Sequence, residues 1–157
     1  MYLRALAITG TATAAAALLG SVASNGVRSR WYRRLRKPSF QPPPEVFPVV
    51  WTSLYADIAF TSAAALDDPE QTDQQRESYL TAMAVNLALN AGWSWAFFRF
   101  HNLPLSVGVA AALAASSTDL ARRAGAAKPT FGLALAPYAV WCAFATVLTA
   151  RIRALNR

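Results

Sequence analysis

Residues 31–55 read WYRRLRKPSFQPPPEVFPVVWTSLY, and this stretch decides the fold that the sequence predicts. Proline lacks a backbone N–H and fixes φ, so the proline-rich part up to Pro44 is predicted to be a stiff, extended loop, neither regular helix nor central strand. Pro48 falls where the first turn of a helix tolerates it, so an apolar helix is expected from about Val46. A rigid loop that carries aromatic side chains into such a helix is typical of a lid over a cavity. We call residues 25–45 the lid loop.

The composition around this stretch indicates a membrane protein. The chain has 157 residues, of which 55% are hydrophobic and 15% charged, and its mean hydropathy is +0.26. Soluble domains carry about 25% charged residues, so the deficit predicts one integral membrane domain over residues 1–157. The net charge is +7. Because the cations flank apolar runs, this charge favours anchoring to lipid headgroups and not binding of nucleic acid.

Few residues suit metal or redox chemistry. Cys142 is the only cysteine, so no internal disulfide can form, and His101 is the only histidine, which excludes a multi-histidine metal site. No Ser–His or Cys–His pairing, P-loop or metal-ligand cluster supports hydrolysis, phosphoryl transfer or metal catalysis. The sequence predicts no metal and no required cofactor.

Five apolar segments each approach the length of about 20 residues that a spanning helix needs. Lipid cannot satisfy the edges of isolated strands, and the alanine-rich runs favour helix. We therefore predict an all-α integral membrane protein, a five-transmembrane-helix bundle. The first segment could instead be a signal peptide, but the basic stretch that follows it opposes export and favours a retained helix. The predicted spans are about 5–24, 46–66, 79–98, 103–121 and 131–150.

The distribution of Lys and Arg predicts the orientation of the bundle. With five spans, the lid loop and the C-terminus share one side, which carries ten basic residues against five on the other. The side richer in Lys and Arg is normally cytoplasmic. The acidic loop between the second and third segments falls on the opposite side. We expect the N-terminus outside, and the lid loop and the C-terminus in the cytoplasm.

The third segment carries a stripe of polar and aromatic residues. Asn86, Asn90, Trp93 and Phe97 lie on one helical face at 100° per residue. Two amides inside a span are costly unless they find partners. Two interpretations stay open: the amides join neighbouring helices and do nothing else, or they are hydrogen-bonding groups in the wall of a pocket, beside aromatic faces.

The fifth and second segments carry similar stripes. Tyr138, Trp141 and Ala145 share a face of the fifth, where the small Ala145 leaves room beside Trp141. Trp51 and Tyr55 share a face of the second. Aromatic belts at membrane interfaces also contain Trp and Tyr, but Trp141 lies in mid-span, where a belt does not explain it.

These stripes and the lid loop predict a cleft for a flat, largely apolar molecule. Tyr32 would contact the molecule from the lid. The cations between Arg28 and Lys37 at the mouth suit a ligand with carboxylates. A tetrapyrrole such as protoporphyrin has both features, whereas a sterol or lipid has only the first.

Two carboxylates within the apolar segments require their own interpretation. Asp57 in the second segment is either a proton-relay group or a structural carboxylate bonded to a neighbouring helix. Asp119 lies three and four residues before Arg122 and Arg123, which predicts ion pairs on one helix face.

Three motifs resemble the TspO/MBR family, the tryptophan-rich sensory proteins and the mitochondrial translocator protein. The first is W-Y-x-x-L-x-K-P-x-x-x-P-P-x-x-x-F-P-x-x-W-x-x-L-Y over residues 31–55. The second is Asn86-x-x-x-Asn90 before an aromatic run. The third is Pro137-Tyr138-x-x-Trp141-x-Ala143-Phe144-Ala145-Thr146. The resemblance spans nearly the whole chain.

The resemblance implies a five-helix membrane bundle that binds porphyrins, haem-type tetrapyrroles, sterols or benzodiazepine-site drugs. Some family members degrade porphyrin in light, and Trp51 and Trp141 would be the reactive side chains in such an enzyme. The chain departs from the family's eukaryotic cholesterol motif, because residues 145–157 contain no tyrosine. The family's pocket would map onto Tyr32, Trp51, Asn86, Asn90, Trp93, Trp141 and Ala145.

The expected function is therefore that of a membrane receptor, sensor or transporter for porphyrin- or haem-type tetrapyrroles, in a bacterial cell membrane. The first alternative is an enzyme that degrades protoporphyrin in light, and the second is a sterol- or lipid-binding translocator. A homodimer stays open. The predicted ligand-binding residues are Tyr32, Trp51, Tyr55, Asn86, Asn90, Trp93, Tyr138, Trp141 and Ala145.

Overall fold

Helices make up the regular structure of this protein, which we describe from a computed structural model covering residues 1–157. There are six α-helices and no strands, so the all-α prediction is confirmed. A 3₁₀ turn, Asn25–Arg28, follows α1, and a π-helical turn, Trp95–Arg99, follows α4. The helices are α1 Tyr2–Ser24, α2 Arg30–Arg34, α3 Val46–Asp67, α4 Asp73–Ser94, α5 Leu103–Ala127 and α6 Pro129–Leu155.

The prediction of five helices that span the membrane is wrong in number. The sixth helix is the short α2, and four helices are long and apolar enough to cross a membrane: α1, α3, α5 and α6. The remaining long helix, α4, has 22 residues, but its first turns read DQQRES and two amides lie further along it. These polar residues lower the hydropathy of α4, although it packs in the bundle against α1 and α5.

The long helices pack in a closed ring. The helix α1 contacts α3 and α4, α5 contacts α4 and α6, and α6 closes the ring against α3. The hairpin of α5 and α6 is especially close, since a Cβ atom on Gly132 would lie 2.9 Å from the Cα atom of Gly125. A side chain at Gly132 would push the two helices apart.

The two ends of the bundle are packed differently. At the end that holds the α3–α4 and α5–α6 connections, which we call the closed end, large side chains such as Leu120 and Leu135 are fully buried. At the opposite end, which we call the lid end, only Phe97, Leu148 and Ile152 form a buried cluster, with half-buried aromatic residues around them. The bundle is therefore tight at the closed end and looser under the lid.

The lid loop contains a helix that the sequence interpretation missed. Arg30–Arg34 is helical because no proline interrupts it, and the Ser29 hydroxyl caps it by accepting from the N–H of Tyr32 at 3.1 Å. The prediction of a non-helical segment holds from Leu35 to Glu45, where the prolines lie, and α3 begins at Val46 as expected.

The C-terminus fastens the lid to the bundle. The Asn156 side chain accepts from the N–H of Arg36 at 2.9 Å and donates to the carbonyl oxygen of Arg36 at 2.9 Å. The Asn156 amide thus engages both backbone polar groups of Arg36, as a neighbouring β-strand would, and holds the lid backbone against the end of α6. Trp31 adds a second fastening by stacking on His101, with ring centroids 4.1 Å apart.

Candidate functional site

Aromatic rings from the lid loop, from α3, from α4 with its π-helical turn, and from α6 meet at the lid end. The ring of Tyr32 lies 6.2 Å from Phe97 and 5.6 Å from Phe98, and Trp93 stacks on Phe97 at 5.5 Å. Both phenylalanines belong to the π-helical turn, whose extra residue per turn changes the register of the chain after α4. The structure thus brings together predicted site residues from α2 and α4.

The α6 side of this cluster is formed by Trp141. Its ring lies 5.9 Å from Phe47 of α3 and 5.3 Å from Phe144 of its own helix. Phe40 of the lid approaches Phe144 at 6.3 Å. Sequence analysis did not place Phe40, Phe47, Phe98 or Phe144 in the site. Their only signal was their position within the quoted motifs and the aromatic run.

A chain of side-chain hydrogen bonds crosses the bundle beside the cluster. The Tyr55 hydroxyl donates to Oδ1 of Asn90 at 2.8 Å, and Nδ2 of Asn90 donates to the Tyr138 hydroxyl at 3.1 Å. The Tyr138 hydroxyl donates to Oδ1 of Asn86 at 2.8 Å. Nδ2 of Asn86 then donates to two hydroxyls of α5, Ser116 at 3.2 Å and Ser117 at 3.0 Å. Every donor points the same way along the chain, which joins α3, α4, α6 and α5.

The two amides that shared one prediction differ in the structure. Asn86 has no exposed surface, and protein groups engage both its oxygen and its nitrogen. It acts as a connection between α4, α5 and α6. Asn90 is 3% exposed and is also engaged at both atoms, by Tyr55 and Tyr138, but it lies one turn nearer the lid. The Trp51 ring packs against Tyr55 at 5.6 Å and Tyr138 at 6.5 Å, so Trp51 adjoins the chain from α3.

Three buried polar atoms in the structure have no hydrogen-bond partner: two belong to lid-end residues, and the third belongs to Trp141, in the middle of α6 beside Phe47. They are Nε1 of Trp93, Nε1 of Trp141 and Oε1 of Gln41. A buried polar group without a partner costs about 1–3 kcal/mol, and native proteins contain few of them. The site therefore offers two indole N–H donors and, from the lid, one amide acceptor.

Ala145 is a half-buried small residue of α6. It falls on the inward face of the helix, between Cys142 and Thr149, which are each 1% exposed. Ala145 itself is only half-buried. The prediction of space beside Trp141 therefore stays a prediction, which the substitution of Ala145 tests.

Lys37 stabilises the lid from within. Its Nζ donates to the carbonyl oxygen of Tyr32 at 2.8 Å and lies 4.4 Å from the centre of the Tyr32 ring. Burial lowers the pKa of the Lys37 ammonium, and burial raises the pKa of the Tyr32 hydroxyl against the opposing effect of its bond to Gln41. The lid also carries five exposed guanidinium groups that form no ion pair: Arg28, Arg30, Arg33, Arg34 and Arg36.

The two carboxylates within the helices have structural partners. Asp57 accepts from the Thr61 hydroxyl at 2.8 Å. The prediction of a partner on a neighbouring helix is therefore wrong, because a threonine one turn along α3 is closer. The predicted ion pairs of Asp119 are confirmed, at 2.7 Å to Arg122 and 2.6 Å to Arg123.

Known proteins resemble this chain over nearly its whole length. The sequence model of the TspO/MBR family matches residues 7–155. Protein CrtK of Rhodobacter capsulatus is 31% identical over 99% of this chain and 95% of its own length. The tryptophan-rich protein TspO of Chlorobaculum tepidum is 34% identical over 87% and 86%, and the translocator protein of Ovis aries is 30% identical over 85% and 79%. Every predicted site residue lies within the matched range.

Proposed function

This chain belongs to the TspO/MBR family of membrane proteins, and from that premise we propose that it is a receptor, sensor or transporter for porphyrin- or haem-type tetrapyrroles. The ligand binds at the lid end, between the lid loop, α3, α4 and α6. The observation that carries the proposal is the set of unpartnered polar atoms of Trp93, Trp141 and Gln41. The two tryptophans are half-buried aromatic residues of α4 and α6, and Gln41 belongs to the lid loop.

The chemistry of a tetrapyrrole matches these atoms. Its flat ring stacks on aromatic faces, which interact best in offset or edge-on arrangements. Its carboxylates accept hydrogen bonds from the indole N–H groups of Trp93 and Trp141 and attract the free guanidinium groups of the lid. Its pyrrole N–H groups suit Oε1 of Gln41. A sterol has one hydroxyl and no carboxylate, so it satisfies fewer of these groups.

A titration with protoporphyrin in darkness tests this proposal. Binding should quench tryptophan fluorescence saturably, and Trp141→Phe should weaken binding about tenfold because it removes the N–H donor to a charged acceptor. Trp95→Phe is the matched control, since the Trp95 N–H already donates to the carbonyl oxygen of Leu19 at 3.0 Å. Equal loss in both variants, or no saturable quenching, would contradict the proposal.

The same samples test the enzymatic alternative. After saturation in darkness, light should bleach bound porphyrin faster with the wild type than with Trp51→Phe if the protein degrades its ligand. Trp51 is chosen because its ring adjoins Tyr55 and Tyr138 without belonging to the hydrogen-bond chain. Equal bleaching rates would leave binding as the activity.

The proposed orientation places the lid loop and the C-terminus in the cytoplasm, as the excess of basic residues there indicates. In a Cys142→Ala background, Val27→Cys at the start of the lid should resist an impermeant thiol reagent in intact cells. Val27 is 40% exposed, so burial does not protect it. Glu70→Cys, in the exposed loop at the opposite end, should be labelled and is the control. Labelling of Val27→Cys alone would reverse the assignment.

A further inference from the structure

The outer surface of α4 and α5 has two adjoining depressions at the closed end. The upper one has a volume of about 420 Å³ and lies between the α3–α4 loop, the start of α4 and the end of α5. The lower one has a volume of about 630 Å³ and follows the groove between α4 and α5. Gln74, Ser78 and Arg123 line both, so the two depressions are continuous. Neither contains a residue of the proposed tetrapyrrole site.

The upper depression has opposite charges on its two walls. Arg122 and Arg123 contribute cations from α5, while Asp68 and Glu70 contribute carboxylates from the loop. Arg122 uses one nitrogen to bind Asp119, which leaves its other N–H groups available. Arg123 binds Asp119 through Nε and Ser78 through one terminal nitrogen, which leaves its other terminal nitrogen available. Neither Asp68 nor Glu70 takes part in any of the three ion pairs of the structure. A ligand that bridges the walls would therefore carry an anionic group and a cationic group.

The lower depression is polar at its outer end, where Glu77, Asp119 and Arg123 line it. At its deeper end Ala82, Val85 and Ala115 are small enough to leave a channel on the helix surface, beside the hydroxyls of Thr81 and Ser116, which already bond within the protein. The α-helix rises about 1.5 Å per residue, so Val85 lies about 18 Å along α4 from Asp73, roughly half the thickness of the hydrocarbon layer. A headgroup-sized depression above an apolar channel of this length matches one phospholipid with an acyl chain.

We propose that this face binds one phospholipid whose headgroup carries a phosphate and a primary ammonium, as in phosphatidylethanolamine. The phosphate binds the guanidinium groups of Arg122 and Arg123, the ammonium binds Asp68 and Glu70, and one acyl chain occupies the α4–α5 channel. Phosphatidylglycerol is disfavoured because its anionic headgroup meets the two free carboxylates. Phosphatidylcholine is disfavoured because quaternary ammonium groups are held by aromatic cages, and the only aromatic residue here is the buried Tyr79.

Native mass spectrometry of the delipidated full-length protein tests the headgroup assignment. Palmitoyl-oleoyl phosphatidylethanolamine should bind about fivefold more tightly than the glycerol and choline lipids with the same chains. Glu70→Gln should remove the preference for phosphatidylethanolamine over phosphatidylglycerol, whereas Arg122→Gln should weaken the binding of all three phospholipids. Glu45→Gln and Arg4→Gln make the same charge changes at exposed sites elsewhere and should change nothing. Equal binding of the three lipids by the wild type, or a preference unaffected by Glu70→Gln, would overturn the proposal.

A second variant tests the channel and separates a lipid from a soluble phosphate ester. Ala115→Leu fills the channel and should lower phosphatidylethanolamine binding about fivefold or more, while Ala112→Leu, exposed on α5 outside the channel, should not. Glycerophosphoethanolamine, which has no acyl chains, should not compete at lipid-saturating concentrations. Competition by this headgroup alone, or wild-type lipid binding by Ala115→Leu, would overturn the assignment of an acyl chain. Porphyrin binding by the same variants reports that they are folded.

Discussion

Ala145→Leu is expected to weaken tetrapyrrole binding by at least tenfold while the protein stays folded. Ala145 is half-buried on a helix face whose neighbours Cys142 and Thr149 are fully buried, so in the proposed site the added carbons would occupy space that the ligand needs beside Trp141. Overpacking typically costs about 1–3 kcal/mol, and each 1.4 kcal/mol is a factor of ten in affinity. Fluorescence titration with protoporphyrin, in darkness, measures the change.

The control for this prediction is Ala143→Leu, which adds the same carbons to an exposed position of α6. Its affinity should equal that of the wild type. A thermal melt of both variants in the same detergent separates a filled site from a damaged fold. Wild-type affinity in Ala145→Leu would show that the ligand does not occupy the space beside Trp141.

Asn86→Leu is expected to produce the largest loss of stability, about 1–3 kcal/mol. The substitution leaves the Tyr138 hydroxyl without its acceptor, and it leaves Ser116 and Ser117 without their donor. Asn86 itself is fully buried, so water cannot replace these partners. Buried groups that lose a partner cost their full desolvation energy. The free energy of unfolding in mixed detergent micelles gives the value.

The control for Asn86 is Thr81→Val on the same helix. The Thr81 hydroxyl donates only to the carbonyl oxygen of Glu77, one turn back, and Thr81 is exposed. Its removal should change stability by a few tenths of a kcal/mol at most.

A double-mutant cycle with Tyr138→Phe isolates the central bond of the chain. Because Tyr138 donates directly to Asn86, the two substitutions should couple by about 0.5–3 kcal/mol. Additive effects would mean that the chain does not act as a unit. Tetrapyrrole affinity of the folded fraction in Asn86→Leu should stay within about threefold of the wild type, since protein groups already occupy both the oxygen and the nitrogen of Asn86.

The sequence by itself determined the features that depend on neighbouring residues in the chain. The prolines between Lys37 and Pro48 excluded helix from the second half of the lid, Leu35 to Glu45, and located the start of α3 at Val46. The spacing of Asp119 from the following arginines predicted its ion pairs correctly. These features follow from the allowed φ angles of proline and the 3.6-residue turn, which are local properties.

Only the tertiary structure decided which polar groups are already engaged and which are free. The helical stripe presented Asn86 and Asn90 as candidates for the pocket wall, yet both amides are engaged by groups distant in the chain, Asn86 by Tyr138 and serines of α5 and Asn90 by Tyr55 and Tyr138. Trp93 and Trp141 look like ordinary pocket residues in the sequence, but their unpartnered N–H groups are visible only after packing. Hydrogen-bond satisfaction depends on groups that are distant in the chain and become neighbours when the helices close into a ring, so no local pattern encodes it.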